Sequence, residues 1–464
     1  MANLAQLPVE LLLHIGASLC CDWPEPPRGL GNPSYVCRKW PRAQGHRNLS
    51  RLSRTCTRLR DVLQPAVFAS FERHDPSRAQ QLRLLEALER RPDLARNMRL
   101  IGIDKVAPIQ NDLSDAEVAA VSQRIANLYL GGSHLARYWK WEHAMPLVVV
   151  ELILLRTPNL ARLDLPLGHY CKLPVLGLLT AQERPLLPLL RTLRITNSFR
   201  ISHNKLLCSL SPNVQELSTW LPSAYSPATS SSFHKLTLAD LRTLEFISPC
   251  AIGPSLLRGF LTTTPKLEVF RMVWQPAIGA NPTTVADSWE AIRICKGTLR
   301  EIHIDVYDRG GNLGLGELVG ERWQPLLQDF EQLENLMVGH LPLRVLNKAW
   351  RGVDRSGDED AFFEDMLPKG IREVTLCGPG ASFVPAVRRL AGAARSVVFP
   401  TLKVVAVVPP ALPLEKKHAW FGGPREWFRG VGWLEAREAL QLSGVRFDLE
   451  RRKQASLSFH DFCQ

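Results

Sequence analysis

LRTLRI at 190–195 and LRTLEF at 241–246 carry one pattern: an apolar residue, two variable residues, a second apolar residue, one variable residue and a third apolar one. The hexamer recurs as LARLDL from Leu160, VQELST from Val214, LEVFRM from Leu267, LREIHI from Leu299, LENLMV from Leu333, IREVTL from Ile371 and LKVVAV from Leu402, and MRLIGI from Met98 fits it as well. One such match means little, but recurrence at intervals of 24 to 38 residues from Leu160 onward is the mark of a repeat architecture. Each hexamer alternates like a short strand, and helical patterning precedes several of them, as in SLLRGFLTTTPK before LEVFRM. A strand and helix this short cannot bury an apolar face alone, so stacked neighbours must supply the core. The expected fold is α/β, an irregular solenoid with a parallel concave sheet.

Strand alternation also assigns a surface. The three apolar positions face the core, so the residue between the second and third faces the concave side. That column reads Asp164, Arg194, Ser218, Glu245, Arg271, His303, Met337, Thr375 and Ala406, and the residue after the third position adds Trp220 and Asp305. Its mixture of charges suits polar recognition of a macromolecule more than a buried lipid or cofactor. Asp164, Arg194, Trp220, Glu245, Arg271, His303 and Asp305 are therefore the expected target-binding residues. The array resembles degenerate leucine-rich repeats, with Asn197 alone near the place where that family carries an asparagine ladder.

Two amphipathic segments precede the repeats. LPVELLLHIGASL at 7–19 starts on Pro8, which suits a first helical turn. NLSRLSRTCTRLRDVL at 48–63 sets Leu49, Leu52, Cys56, Leu59 and Leu63 on one stripe, with arginines opposite. LPxELLLxIxxxL followed by LxxLxxxCxRL resembles the F-box, a helical module that binds a Skp-type linker protein and through it a cullin. On that resemblance Leu7, Pro8, Leu11, Leu12 and Ile15 of the first segment, and Leu49, Leu52, Cys56 and Leu59 of the second, would contact the linker. Five prolines and three glycines separate the two segments and rule out a continuous helix there. SYVCRKW at 34–40 offers a rival register, but only the later segment has leucines at helical spacing.

The expected organisation is an F-box-like module at 1–72 with an insertion at 22–47, a connecting helix at 73–97, a leucine-rich-repeat-like solenoid at 98–410 and a C-terminal cap at 411–464. The order of modules resembles fungal F-box proteins with leucine-rich repeats, which implies the substrate-recognition subunit of an SCF-type ubiquitin ligase that binds a protein target for ubiquitin-dependent degradation. The alternative is a ligase-independent interaction scaffold built on the same repeats. No catalytic residue, metal or cofactor is expected on either reading.

Composition agrees with that picture. A chain of 464 residues, 45% hydrophobic and 22% charged, is too long for one ordinary compact domain. Its apolar runs are broken by charge or proline, so no membrane association is expected. Ten cysteines without a CxxC pair point to reduced thiols and an intracellular location, in cytoplasm or nucleus. Cys20, Cys21, Cys37, His46 and Cys56 match no zinc spacing. The net charge of +12 favours acidic partners, and nine Lys or Arg residues fall between Arg28 and Arg60 without an acid, read as a solvated basic face rather than a nucleic-acid site. GGNLGLGELVG at 310–320 lacks both GxGxxG spacing and a P-loop lysine and reads as turn chemistry. The acids from Asp354 to Asp365 read as a loop and a helix N-terminus.

Overall fold

The computed structural model describes residues 6–21, 47–73, 76–103, 114–128, 145–167, 173, 175–176, 185–196, 201–219, 238–250, 254–274, 285–306, 327–339, 361–377, 383–396, 398–408 and 433–448. They fall into two units, 1–29 with 35–220 and 30–34 with 221–464. Of the insertion expected at 22–47, residues 22–46, including SYVCRKW, lie outside the described residues, as do Asn197, Trp220 and the glycine run at 310–320, whereas Arg47 is helical.

The first unit opens with three helices, α1 (Val9–Cys21), α2 (47–53) and α3 (Thr57–Val67). Leu12, Leu49, Leu59 and Leu63 form their buried centre, with Leu7, Leu52, Cys56, Val62, Ala66 and Val67 packed around it. Gly16 lets α1 come close, since a Cβ there would meet Leu63 Cδ2 at 2.8 Å and Leu49 Cδ1 at 3.4 Å. Cys56 caps α3, its Sγ accepting the Leu59 N–H at 3.5 Å.

From α3 the chain passes into β1 (Ser70–Arg73), which pairs in parallel with β2 (Leu100–Ile103). The sheet thus begins one strand before the hexamer pattern becomes readable at Met98. Between these strands lie two helices where one was expected. α4 (Arg78–Arg90) is capped by Ser77, and Pro92 starts α5 (Pro92–Asn97), where its missing N–H costs nothing. α6 (Asp115–Leu128), α7 (Met145–Arg156), β3 (Arg162–Pro166), β4 (Thr192–Thr196), α8 (Ile201–Leu210) and β5 (Glu216–Thr219) complete the unit. Its strands are parallel and stand in chain order.

The second unit repeats the plan. β6 (Thr243–Cys250), α9 (Pro254–Thr262), β7 (Val269–Trp274), α10 (Val285–Ile292), β8 (Glu301–Val306) and β9 (Asn335–Val338) come first. α11 (Phe362–Met366), β10 (Glu373–Cys377), α12 (Val384–Arg395), β11 (Val404–Val408), α13 (Trp433–Leu442) and β12 (Arg446–Asp448) follow. Again every strand pairs in parallel with its chain neighbour. The segment expected as a C-terminal cap supplies a helix and a strand in register with β11. Gly444, at φ 75°, ends α13 in the left-handed conformation that glycine adopts without penalty.

Register aligns hexamer with hexamer. The second apolar positions pair as Leu163, Leu193 and Leu217 in one unit, and as Leu244, Phe270, Ile302, Leu336, Val374 and Val405 in the other. All of these are buried, as are the first and third positions; even Thr219, the polar exception among the third positions, is 0% exposed. The described residues are therefore α/β with all-parallel pairing, and the apolar columns form the core face of each sheet.

The turns into the strands share a feature beyond the hexamer. Thr157-Pro158-Asn159-Leu160, Ser211-Pro212-Asn213-Val214 and Thr264-Pro265-Lys266-Leu267 occupy equivalent places, and the leading hydroxyl residue is buried in all three. Thr157 Oγ1 donates to the Ile153 carbonyl at 3.1 Å and Thr264 Oγ1 to that of Leu261 at 3.0 Å, satisfying carbonyls left open at the helix ends. Asn159 Nδ2 donates to Arg96 O and Asn213 Nδ2 to Pro188 O, each at 2.8 Å. Asparagines thus join adjacent repeats from the turn before the strand.

Candidate binding surfaces

Two surfaces stand out. The first is the outer side of the N-terminal helices. Of the residues assigned to partner binding, Leu12, Leu49 and Leu59 are 1%, 0% and 3% exposed, which makes them internal core and not surface. The reason is geometric: these three leucines and Leu63 point into the centre where the three helices meet, and Leu7, Leu52, Cys56, Val62, Ala66 and Val67 close around them. Leu7, Ile15, Leu52 and Cys56 are half-buried at the margin. Pro8 is exposed, and Leu11 is 50% exposed, flanked along α1 by Val9 at 43% and Leu13 at 46%. Pro8, Leu11 and Ile15 form an i, i+3, i+7 row on one side of the helix. Val9 and Leu13 were not among the expected residues, although both are as exposed as Leu11 and lie one helical turn apart.

The second surface is the polar face of the parallel strands. In the first unit Asp164, Arg194 and Ser218 are in register on β3, β4 and β5. Arg162 closes a two-pronged bond on Asp164, Nη2 to Oδ2 at 2.8 Å and Nε to Oδ1 at 3.2 Å. The Asp164 side chain is left 7% exposed and Arg194 half-buried. In the second unit Glu245, Arg271, His303 and Met337 are in register on β6 to β9. Arg271 Nε bonds Glu301 Oε1 across β7 and β8 at 2.8 Å, with the two side chains 30% and 25% exposed. Burial pushes the His303 imidazole down to about 4, and the Arg271 charge pushes the same way against the opposing pull of Glu301 and Glu245. Further along the row Thr375 is 9% and Ala406 0% exposed, so the column is accessible only in part.

The expected column took only one of two outward positions. Arg162, Thr192, Glu216, Glu301 and Asn335 sit two residues earlier, between the first and second apolar positions, and share the polar face. The alternation that assigned Asp164 outward assigns them outward too, so the signal was available. Thr192 Oγ1 donates to Glu216 Oε2 at 3.1 Å, continuing this second row.

Burial raises the Cys208 thiol to about 12 and the Cys295 thiol to about 11, which removes both as thiolate nucleophiles. Among the described residues no group of three or more His, Cys, Asp or Glu side chains could hold a metal ion, and no helix is long and apolar enough to cross a membrane. No family model matches the chain, and no characterised protein compared with it matches either.

Proposed function

We propose that this protein is the substrate-recognition subunit of an SCF-type ubiquitin ligase, joined to a Skp-type linker by its N-terminal helices and to a protein target by the polar face of its strands. The observation that carries this reading is the exposure of Val9, Leu11 and Leu13, which flank the side of α1 that closes a four-leucine core, Val9 and Leu13 on one flank and Leu11 on the other. Aliphatic side chains held outward on an otherwise satisfied helix suit burial against a partner. The resemblance of LPxELLLxIxxxL to the F-box names the class of that partner, and the repeats that follow have the order found in such receptors.

On this reading the protein performs no bond chemistry. It holds a target close to a charged conjugating enzyme and acts by effective concentration. The test is co-purification with a Skp-type linker from the wild type and from Leu11→Asp. Capture by the wild type and loss in the variant is the expected result; absence of the linker from a clean wild-type capture overturns the proposal.

A further inference from the structure

We infer that the partner of the N-terminal helices is an acidic protein surface, drawn in by an arginine face on α2. This rests on the proposed function and specifies the electrostatics of the same surface. Arg47, Arg51 and Arg54 follow one another at i, i+4 and i+7, which places them on one side of α2. All three are exposed. Their guanidinium groups enter no ion pair or hydrogen bond among the described residues. Arg58 joins this segment to the apolar surface, its Nη2 donating to the Leu7 carbonyl at 2.9 Å just before α1. From residue 47 to 67 the only acid is Asp61, which lies 3.8 Å from the neighbouring Arg60.

The occupant follows by comparing candidates. A second copy of this chain would bring its own net charge of +12 to the contact, so like charges oppose self-association there. Nucleic acid would match the arginines but leave Val9, Leu11 and Leu13 beside phosphates. An anionic bilayer would meet the exposed Glu10 between those side chains, and α1 carries no Lys or Arg to hold it on lipid headgroups. An acidic protein with an apolar groove satisfies both features at once. Division of labour follows: the arginines accelerate encounter and the exposed aliphatic side chains of α1 set the lifetime of the complex.

The experiment measures association and dissociation rates of the full-length protein with a purified Skp-type linker at 0.1 M and 1 M salt, between which the Debye length falls from about 10 Å to about 3 Å. The expected result is an association rate about tenfold lower at high salt and similarly lowered in Arg51→Glu/Arg54→Glu, with dissociation nearly unchanged. Leu11→Asp should instead accelerate dissociation. An unaltered far-UV melt controls for folding of each variant. Binding that Leu11→Asp destroys but that ignores salt and charge reversal overturns the inference and leaves the proposed function standing. No linker binding at either salt concentration overturns both. Tighter capture of a DNA duplex or of phosphatidylserine vesicles than of the linker overturns the inference in favour of those surfaces.

Discussion

The Asp305 side chain fills the space that a side chain at Gly339 would need. A Cβ built on Gly339 would run into the Asp305 carboxyl and lie 3.0 Å from the Asp305 Cα, while Gly339 N–H donates to the Ile304 carbonyl at 2.8 Å. Strands β8 and β9 can therefore keep their spacing at this end of the polar face only with glycine at 339.

Gly339→Ala is expected to destabilise the protein by about 1–3 kcal/mol, the cost typical of overpacking a fixed backbone. Much of that loss should be absent in the Asp305→Gly background, because the carboxyl is the first obstacle. Urea unfolding of the two single variants and the double variant measures the coupling. Simple additivity would show that the close approach is already relieved by movement of the strand.

The N-terminal helices separate surface from core within two neighbouring residues. Leu12→Ala removes a buried group and should cost about 2–5 kcal/mol. Leu11→Ala, at a half-exposed position, should stay within about 0.5 kcal/mol. Thermal melts check both. Equal destabilisation would mean that Leu11 is covered by other parts of the chain, and the docking surface would be lost with it.

Much of the fold was legible because strand alternation is strict. A slip of one residue would turn a whole apolar set to solvent, so the hexamers had to align in register, and they do. β1 was missed because SFER has neither the length nor the apolar spacing of a hexamer; the pairing of Ser70 and Phe71 with Leu100 and Ile101 decides its state. At 78–97 the sequence marks the end of a helix at Pro92 but not the start of α5 at the same residue, because a single proline serves both as a stop and as a first-turn residue. The surfaces were less legible than the core. Amphipathic periodicity places Leu11 and Leu12 on one broad apolar arc, and only packing against α2 and α3 buries one and leaves the other outward. Likewise nothing local distinguishes Thr375 and Ala406 from His303, although their burial differs.

A buried carboxyl ties stability to pH. Glu151 sits fully buried in α7, where Oε1 accepts the Leu176 N–H at 3.0 Å, and burial raises its carboxyl well above the usual carboxylate range against the opposing effect of that bond and one from Val175. In the folded state the proton is retained where the unfolded chain has lost it. The contribution of the neutral acid is thus full below the unfolded pKa of about 4.3 and is lost as pH rises through the folded value. Glu151→Gln keeps an acceptor without a titrating proton, so its stability relative to wild type should improve as pH rises from 4. Denaturant unfolding at several pH values checks the slope, and parallel curves for the two proteins would contradict the assignment.

His303 offers a direct reading of the polar face. Its imidazole titrates near 4, held down first by burial and next by Arg271, while Glu301 and Glu245 pull upward. Removing the opposing cation should therefore raise it, and removing either anion should lower it further. Arg271→Ala is expected to move the titration toward the ordinary histidine value of about 6.5, and Glu301→Gln is expected to move it down. Because the folded value is depressed, the native state resists protonation that the unfolded chain accepts. Stability is whole above about 6.5 and falls as pH drops toward 4, and His303→Gln should remove that part of the acid sensitivity. Proton NMR of the imidazole gives the titration and denaturant unfolding gives the slope. Opposite shifts in the Arg271 and Glu301 variants are the expected result; shifts of one sign in both would mean that altered burial, rather than charge across β7 and β8, governs this site. A target that docks here with a net charge must also move the His303 titration, upward for an anion and downward for a cation. The same resonance would then report both where the target binds and the sign of what it brings.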